Sequence, residues 1–341
     1  MTGVQIVGIA VISLVVIFLV AEYFMANFMA TYILTPPSKL CPTPEQIKER
    51  KTCEISAERA VYADADFDAY EEWETERFFC ENNGIHIPAV FHPLEHARGC
   101  AILAHGFGQN RYAMVPYAEL FRKLGFSTVL FDERRFGESK APYGTFGIKE
   151  ATDVAALVEW VKQRCGQDTK IVLLGVSMGA VSVMNALKYT DDVDYVVEDC
   201  GFIRVSQGLP FVYRSMVHIP NPFLMPVVKK RAKKYGFDML DNNPIDVVKN
   251  SKVPICVVHG DMDRAVSVEC AKELGTVMKN PKSRVEIYEG RDHAYSICDK
   301  ERYTRMLSDF LDEMFVFPVE QEEEHGKKDW DHFRYTWTFE T

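Results

Sequence analysis

The chain has 341 residues and is 47% hydrophobic, enough apolar material for one large α/β domain with appendages. Its formal net charge of -10 argues against the basic surface that phosphate backbones require, so no nucleic-acid partner is expected. The nine cysteines lack C-x-x-C spacing, and Cys100, Cys200 and Cys256 sit in apolar strand-like runs, so they read as reduced, buried thiols.

The apolar run from Val4 to Val20 carries no charge and continues past Glu22 through Tyr23, Phe24, Met25 and Phe28 to Ile33. Roughly 20 apolar residues cross a bilayer core. No Lys or Arg precedes the run, as one would in a cleavable signal peptide, so residues 1–34 read as an uncleaved, single-pass transmembrane anchor. Lys39, Lys48, Arg50 and Lys51 follow it, which by the positive-inside rule places the remaining chain on the cytoplasmic side. Residues 35–72, with Pro36, Pro37, Pro42 and Pro44 at the exit, read as a charged, helical juxtamembrane linker. A Cys41–Cys53 disulfide in it would require an oxidising compartment.

From Trp73 short strand runs alternate with helical stretches, the pattern of a mostly parallel sheet covered by helices, and the core domain is read as 73–317. Thr75 to Cys80 and Ile85 to His92 form a hairpin across Asn83-Gly84. Strands follow at Cys100 to His105, Ser127 to Phe131, Lys170 to Gly175, Tyr195 to Cys200, Pro254 to His259 and Arg284 to Tyr288. Helices are expected at Tyr112 to Leu124, Ile148 to Arg164, Met178 to Lys188, Ile245 to Lys249, Ser267 to Met278 and Arg302 to Phe315. In the second of these Val154, Leu157, Val158 and Val161 make a one-sided apolar stripe. A Pro-rich and aromatic insertion interrupts the alternation, giving a cap over about 201–250. Its Lys229, Lys230, Arg231, Lys233 and Lys234 read as a solvated helix face, with contact to anionic lipid headgroups as the alternative. The tail, 318–341, joins an acidic run to Trp330, Phe333, Tyr335, Trp337 and Phe339, and is expected to pack on the body or the membrane interface.

Gly175-Val176-Ser177-Met178-Gly179 lies between an apolar strand and a helix-forming run. In that context the small residues permit a tight turn that exposes Ser177 as a nucleophile. A serine hydroxyl needs a base, and the base needs an orienting partner. His293, after the strand ending at Tyr288, is the base; Asp263, after the strand ending at His259, orients it in preference to Asp261. Backbone amides of Phe107, in His105-Gly106-Phe107-Gly108, and of Met178 are the expected oxyanion donors. His259 and His105 end strands and read as structural. His92 and His96 have no partners at ligand spacing, so no metal is expected, and Cys298 reads as packing.

These motifs in this order resemble the α/β-hydrolase superfamily, in particular its serine esterase, monoacylglycerol lipase and serine aminopeptidase-like group. The resemblance runs from about Trp73 to Phe315 and adds the loop Asp132-x-Arg134-x-x-Gly137-x-Ser139. It implies an eight-stranded sheet of the α/β-hydrolase fold, a lid after the sixth strand, acyl-enzyme chemistry and no cofactor. Many relatives carry Arg-Gly-His-Gly where this chain has Arg134-Arg135-Phe136-Gly137, a change expected at the pocket rim. The expected function is a membrane-anchored serine hydrolase acting on a carboxylic ester or related acyl bond of a small-molecule or lipid-like substrate. A peptidase, amidase or thioesterase on the same triad, or a non-catalytic membrane-tethered binding protein, are the alternatives.

Overall fold

The computed structural model describes residues 2–37, 67–206, 208–210, 213 and 221–312. Most of the expected linker, with Cys41 and Cys53, and the aromatic tail lie outside the described residues.

The strands are β1 (Glu76–Asn82), β2 (Ile85–His92), β3 (Gly99–Ala104), β4 (Phe126–Phe131), β5 (Ile171–Val176), β6 (Tyr195–Asp199), β7 (Ile255–Gly260) and β8 (Arg284–Tyr288). They form one sheet in the order β1-β2-β4-β3-β5-β6-β7-β8. β2 pairs antiparallel with β1 and β4, and the other pairings are parallel. Asn83 and Gly84, both at positive φ (50° and 74°), turn the first hairpin, as a two-residue loop matched to strand twist requires. Every residue of β3 to β7 is buried, because helices cover both faces of a parallel sheet.

The helices are α1 (Gly3–Leu34), α2 (Phe67–Glu72), α3 (Val115–Lys123), α4 (Glu150–Cys165), α5 (Met178–Ala186), α6 (Leu224–Lys234), α7 (Pro244–Asn250), α8 (Glu269–Val277) and α9 (Lys300–Asp312). α2, α3 and α9 cover one face, bringing Phe67, Phe121, Leu307 and Phe310 onto Leu103, Leu174 and Val258. α4, α5, α7 and α8 cover the other with Leu157, Val158, Val183, Ile245 and Leu274. The apolar stripe read in α4 is therefore its buried face. Phe67 and Tyr70 also belong to the core, so the domain takes in chain ahead of Trp73.

Two features go beyond the sequence reading. The basic helix face read in the cap belongs to α6, whose bounds and whose buried side, Leu224, Val227, Val228 and Ala232, are not apparent from the Pro-rich composition. And α1 is one continuous helix whose final turns are built into the domain: Ala26, Met29, Ala30, Ile33 and Leu34 pack with Val181, Leu224, Val228 and Met239. The side chains from Val4 to Val20 are exposed and, apart from Gln5 and Ser13, apolar. Glu22, the first charge in the helix, is 7% exposed and accepts a hydrogen bond from the Tyr213 hydroxyl at 3.3 Å. Asn221 donates to the Glu22 carbonyl at 2.9 Å, and Gly144 N–H donates to the Leu34 carbonyl at 2.8 Å.

Arg134 ties the loop after β4 to α4. Its Nε and Nη2 each donate to the Asp153 carboxylate at 2.7 Å, and both residues are buried. Removing one partner of such a pair strands a charge. Arg134→Met is expected to cost about 3 to 5 kcal/mol in denaturant melts, and adding Asp153→Leu should recover most of the loss. Equal stability of Arg134→Met and the parent would refute this.

Candidate active site

β5 runs into α5 through Ser177, which takes the backbone conformation φ 56°, ψ -112°. A non-glycine residue there is strained, and the surrounding structure must impose it. The imposing contact is backbone against backbone. A Cβ on Gly175 would lie 2.2 Å from the Gly179 carbonyl oxygen, and one on Gly179 would lie 2.2 Å from the Ala104 carbonyl oxygen. The turn closes because both positions lack a side chain. Ser177 precedes the first residue of α5 but its side chain makes no cap hydrogen bond, so the hydroxyl is free to meet another partner.

That partner is His293. Its Nε2 lies 2.9 Å from Ser177 Oγ, and its Nδ1 lies 2.7 Å from Asp263 Oδ2. The three residues come from the C-terminal ends of β5, β7 and β8. An ionised carboxylate only accepts, so Nδ1 carries the imidazole proton and Nε2 presents its lone pair to the hydroxyl. Asp263 Oδ1 accepts from Ala265 N and Val266 N, each at 2.7 Å, and Oδ2 also lies 3.2 Å from His259 Nε2. Burial alone would raise its pKa, but the hydrogen bonds from His259 and His293 prevail and hold the carboxyl well below the usual carboxylate range. Asp261 points elsewhere, its Oδ1 accepting from Gly290 N at 2.7 Å.

The histidines read as structural sit in the supporting frame. His259, fully buried, places Nε2 3.0 Å from the Val266 carbonyl as well as beside Asp263, so it braces the acid loop. His105 places Nδ1 2.8 Å from the Gly106 carbonyl, and its Nε2 accepts from Glu133 N at 3.0 Å. His92 lies between Thr75 and Tyr70, 3.1 Å from each hydroxyl.

Sequence reasoning missed the groups beneath the base. Glu198 and Asp199, at the end of β6, are both fully buried. Burial raises the Asp199 carboxyl to about 6, against the hydrogen bond that Tyr303 donates at 3.1 Å. Burial also raises the Glu198 carboxyl to about 8, although Gly201 N donates to it at 2.8 Å. Cys200 follows at positive φ (54°), with Sγ 4.0 Å from His293 Nε2. An apolar strand ending in two acids is the signal that marked the position. Cys200, Asp263 and His293 hold donor atoms within 4.8 Å of one another, close enough to share a metal ion, but His293 Nδ1 and Asp263 are already joined by their hydrogen bond.

The loop after β3 brings Gly106 beside Ser177: a Cβ there would lie 3.6 Å from Ser177 Cβ. Met178 opens α5, so its N–H has no intrahelical acceptor, and the positive end of the helix faces the same space. A cavity of about 110 Å³ adjoins Ser177 and His293 and is lined by Phe107, Met114, Tyr117 and Val176 among others. Phe136, from the loop that departs from Arg-Gly-His-Gly, packs edge-on against Phe107, with ring centroids 5.1 Å apart. Tyr32 of α1 lies on Phe107 as well, at 5.6 Å.

Comparison with known proteins adds to this geometry. The family described as Serine aminopeptidase, S33, matches residues 95–247, and the Dienelactone hydrolase family matches residues 215–333. The chain is 26% identical over 256 residues to the YqkD protein of Bacillus subtilis (strain 168), covering 73% of this chain and 83% of that protein. It is 33% identical over 148 residues to a 31.7 kDa Escherichia coli protein from the traX-finO intergenic region, a match covering 42% of this chain and 49% of the relative. Among solved structures, the Pyrococcus furiosus esterase Pf2001 superposes with a TM-score of 0.58 at 24% identity, over 71% of this chain and 92% of that one.

Two outcomes follow from the packing. Gly179→Ala forces a methyl into the Ala104 backbone, so it is expected to lower stability by about 1 to 3 kcal/mol and to displace Ser177. Gly106→Ala meets only ordinary contacts, the nearest at 3.5 Å, and is expected to melt like the parent. Equal melting of the two variants would show that the elbow is not held by this contact. Glu198 gives a pH dependence. Its pKa is higher in the folded than in the unfolded chain, so the folded state holds the extra proton, and stability falls as pH rises from about 4.5 through about 8. Glu198→Gln is expected to flatten that fall, as read by unfolding free energies across the interval. Parallel profiles for the two proteins would refute the assignment.

Proposed function

Because the chain belongs to the α/β-hydrolase superfamily, we propose that it is a membrane-anchored serine hydrolase cleaving a carboxylic ester or related acyl bond through an acyl-enzyme on Ser177. The observation that carries the reading is the unbroken hydrogen-bond chain from Ser177 Oγ through His293 to Asp263. His293 Nε2 takes the hydroxyl proton as Oγ attacks the substrate carbonyl. Asp263 remains ionised, fixes the tautomer and stabilises the imidazolium. The Phe107 and Met178 amides receive the developing oxyanion, where one such donor typically supplies about 2.7 to 4 kcal/mol. The imidazolium then protonates the leaving group. Water, activated by the same nitrogen, attacks the acyl-enzyme, releases the acid and restores Ser177.

The exposed apolar surface of α1 supports the anchor, and the seating of Tyr32 on Phe107 places the end of that helix at the rim of the acyl cavity. Both favour a lipid-like acyl substrate that reaches the site from the membrane side. The S33 aminopeptidase match favours a second reading, a peptidase on the same three residues.

A fluorophosphonate probe is expected to label the full-length protein and to leave Ser177→Ala unlabelled. Equal labelling of both would sink the serine mechanism. Turnover of p-nitrophenyl esters from acetate to palmitate, beside amino-acid anilides, separates the readings: cleavage of the anilides alone would establish the peptidase. Asp263→Asn is expected to lower kcat by about 10⁴-fold through loss of the required tautomer, and Asp261→Asn far less. The reverse order would overturn the choice of acid.

A further inference from the structure

α6 lies along the end of α1, and between them is a second cavity of about 600 Å³, lined by Tyr23, Asn27, Phe223, Lys230, Arg231 and Lys234 among others. The two helices run in the same direction. Phe223, just ahead of α6, packs edge-on against Tyr23, with centroids 6.1 Å apart, and further along Arg231 donates to Asn27 Oδ1 at 3.2 Å and to Thr31 Oγ1. The cavity is strongly cationic. Among the described residues Lys229 has a carboxylate partner, Asp238 at 3.7 Å, whereas Lys230, Arg231, Lys233 and Lys234 have no salt bridge. Among the described residues, four positive charges thus stand without a carboxylate partner on one short helix of a protein whose net charge is -10. Arg231 uses its guanidinium to hold α1, while Lys230 and Lys234 are exposed and free to turn toward a ligand.

The height of this cavity along α1 identifies what it meets. The uncharged stretch from Gly3 to Ala21 rises about 28 Å at ~1.5 Å per residue, which matches the ~30 Å hydrocarbon thickness of a bilayer. Glu22 then stands at the hydrocarbon boundary, and Tyr23 and Asn27 fall within the next several ångströms, in the headgroup layer. Tyr23 is an aromatic residue of the kind that settles at such an interface. Lysine side chains reach several ångströms along apolar surface, which carries the Lys230 and Lys234 ammonium groups to the same depth.

We propose that this cavity binds the phosphate headgroup of an anionic phospholipid from the leaflet in which α1 ends. The site is separate from the acyl cavity and rests only on the reading of α1 as a membrane span. A bound lipid phosphate would bridge the anchor and the cap, fixing α6 against α1 and with it the position of Tyr32 above Phe107. The recognising chemistry, two ammonium groups and a guanidinium around one phosphate, would also suit a free phosphate ion; the depth of the cavity assigns the ligand to the membrane.

The test uses the full chain carrying Ser177→Ala, so that binding is read without turnover. The protein in neutral maltoside micelles is titrated with dioleoyl phosphatidylglycerol, dioleoyl phosphatidylcholine or inorganic phosphate, following Tm and lipid retained in native mass spectra. Phosphatidylglycerol is expected to raise Tm and to remain bound, and phosphatidylcholine to do so much more weakly. Adding Lys230→Gln and Lys234→Gln is expected to weaken phosphatidylglycerol binding by about ten-fold or more while leaving the lipid-free Tm unchanged. Unchanged affinity in that variant, or equal binding of the two lipids, would overturn the site. Inorganic phosphate binding as tightly as the lipid would overturn the headgroup assignment. Release of the full chain from native membranes by alkaline carbonate would instead overturn the anchor on which the proposal rests, whatever becomes of Ser177.

Discussion

The contact between Gly179 and the Ala104 carbonyl governs the C-terminal edge of this sheet. With no side chain at Gly175 or Gly179, the start of α5 settles directly onto the ends of β3 and β5, and Ser177 is left in a conformation that an unconstrained serine would avoid. The strain is held by burial on both sides: β5 is covered along its whole length, and every residue of α5 is buried. A side chain at either glycine would open the turn and move Ser177 away from His293. The same closeness of backbones brings the Gly106 loop beside Ser177, so one steric constraint sets both the serine and the wall opposite it.

The acid and the base depend on a different kind of support. Asp263 sits in a loop with no regular structure, yet both carboxylate oxygens are engaged, by two amides and two imidazoles. Charge so placed is costly to bury unless every lone pair is used, and here the bonds outweigh the burial. Glu198 and Asp199, one strand away, show the opposite balance. With fewer donors around them, burial prevails and both are pushed upward, so the frame beneath His293 holds acids of opposed character within a short span.

α1 joins the membrane question to the site. Its first part offers mostly apolar side chains and no charge to the surroundings, while its last turns fill the cap with Ala26, Ala30, Ile33 and Leu34 and reach Phe107 through Tyr32. The single acid at the junction, Glu22, is covered by Tyr213 and Asn221 rather than left facing the apolar region. Because α1 is continuous with the turns that fill the cap, packing fixes its direction relative to the domain.

Much of this was legible from residue order. Alternating apolar runs and turn residues located the strands within a residue or two, because a sheet buried on both faces admits few polar side chains, and Gly175 to Gly179 between strand and helix marked the elbow. Asp263 was distinguishable from Asp261 only by its distance past the strand end. What sequence could not reveal were relations between segments far apart in the chain. The bounds of helix α6 were masked by prolines that end up just ahead of it and in its first turn. Glu198 and Asp199 looked like a strand end, and their carboxyls are raised because burial in the packed sheet excludes water around them. α1 read as an anchor because hydropathy reports what a segment avoids. Its packing on the cap needed the tertiary structure, since close contact depends on which small side chains face a partner nearly 200 residues away. The sequence by itself determined the elements and the chemistry they can carry; the folded chain decided which groups meet, because distance and burial are properties of packing rather than of order.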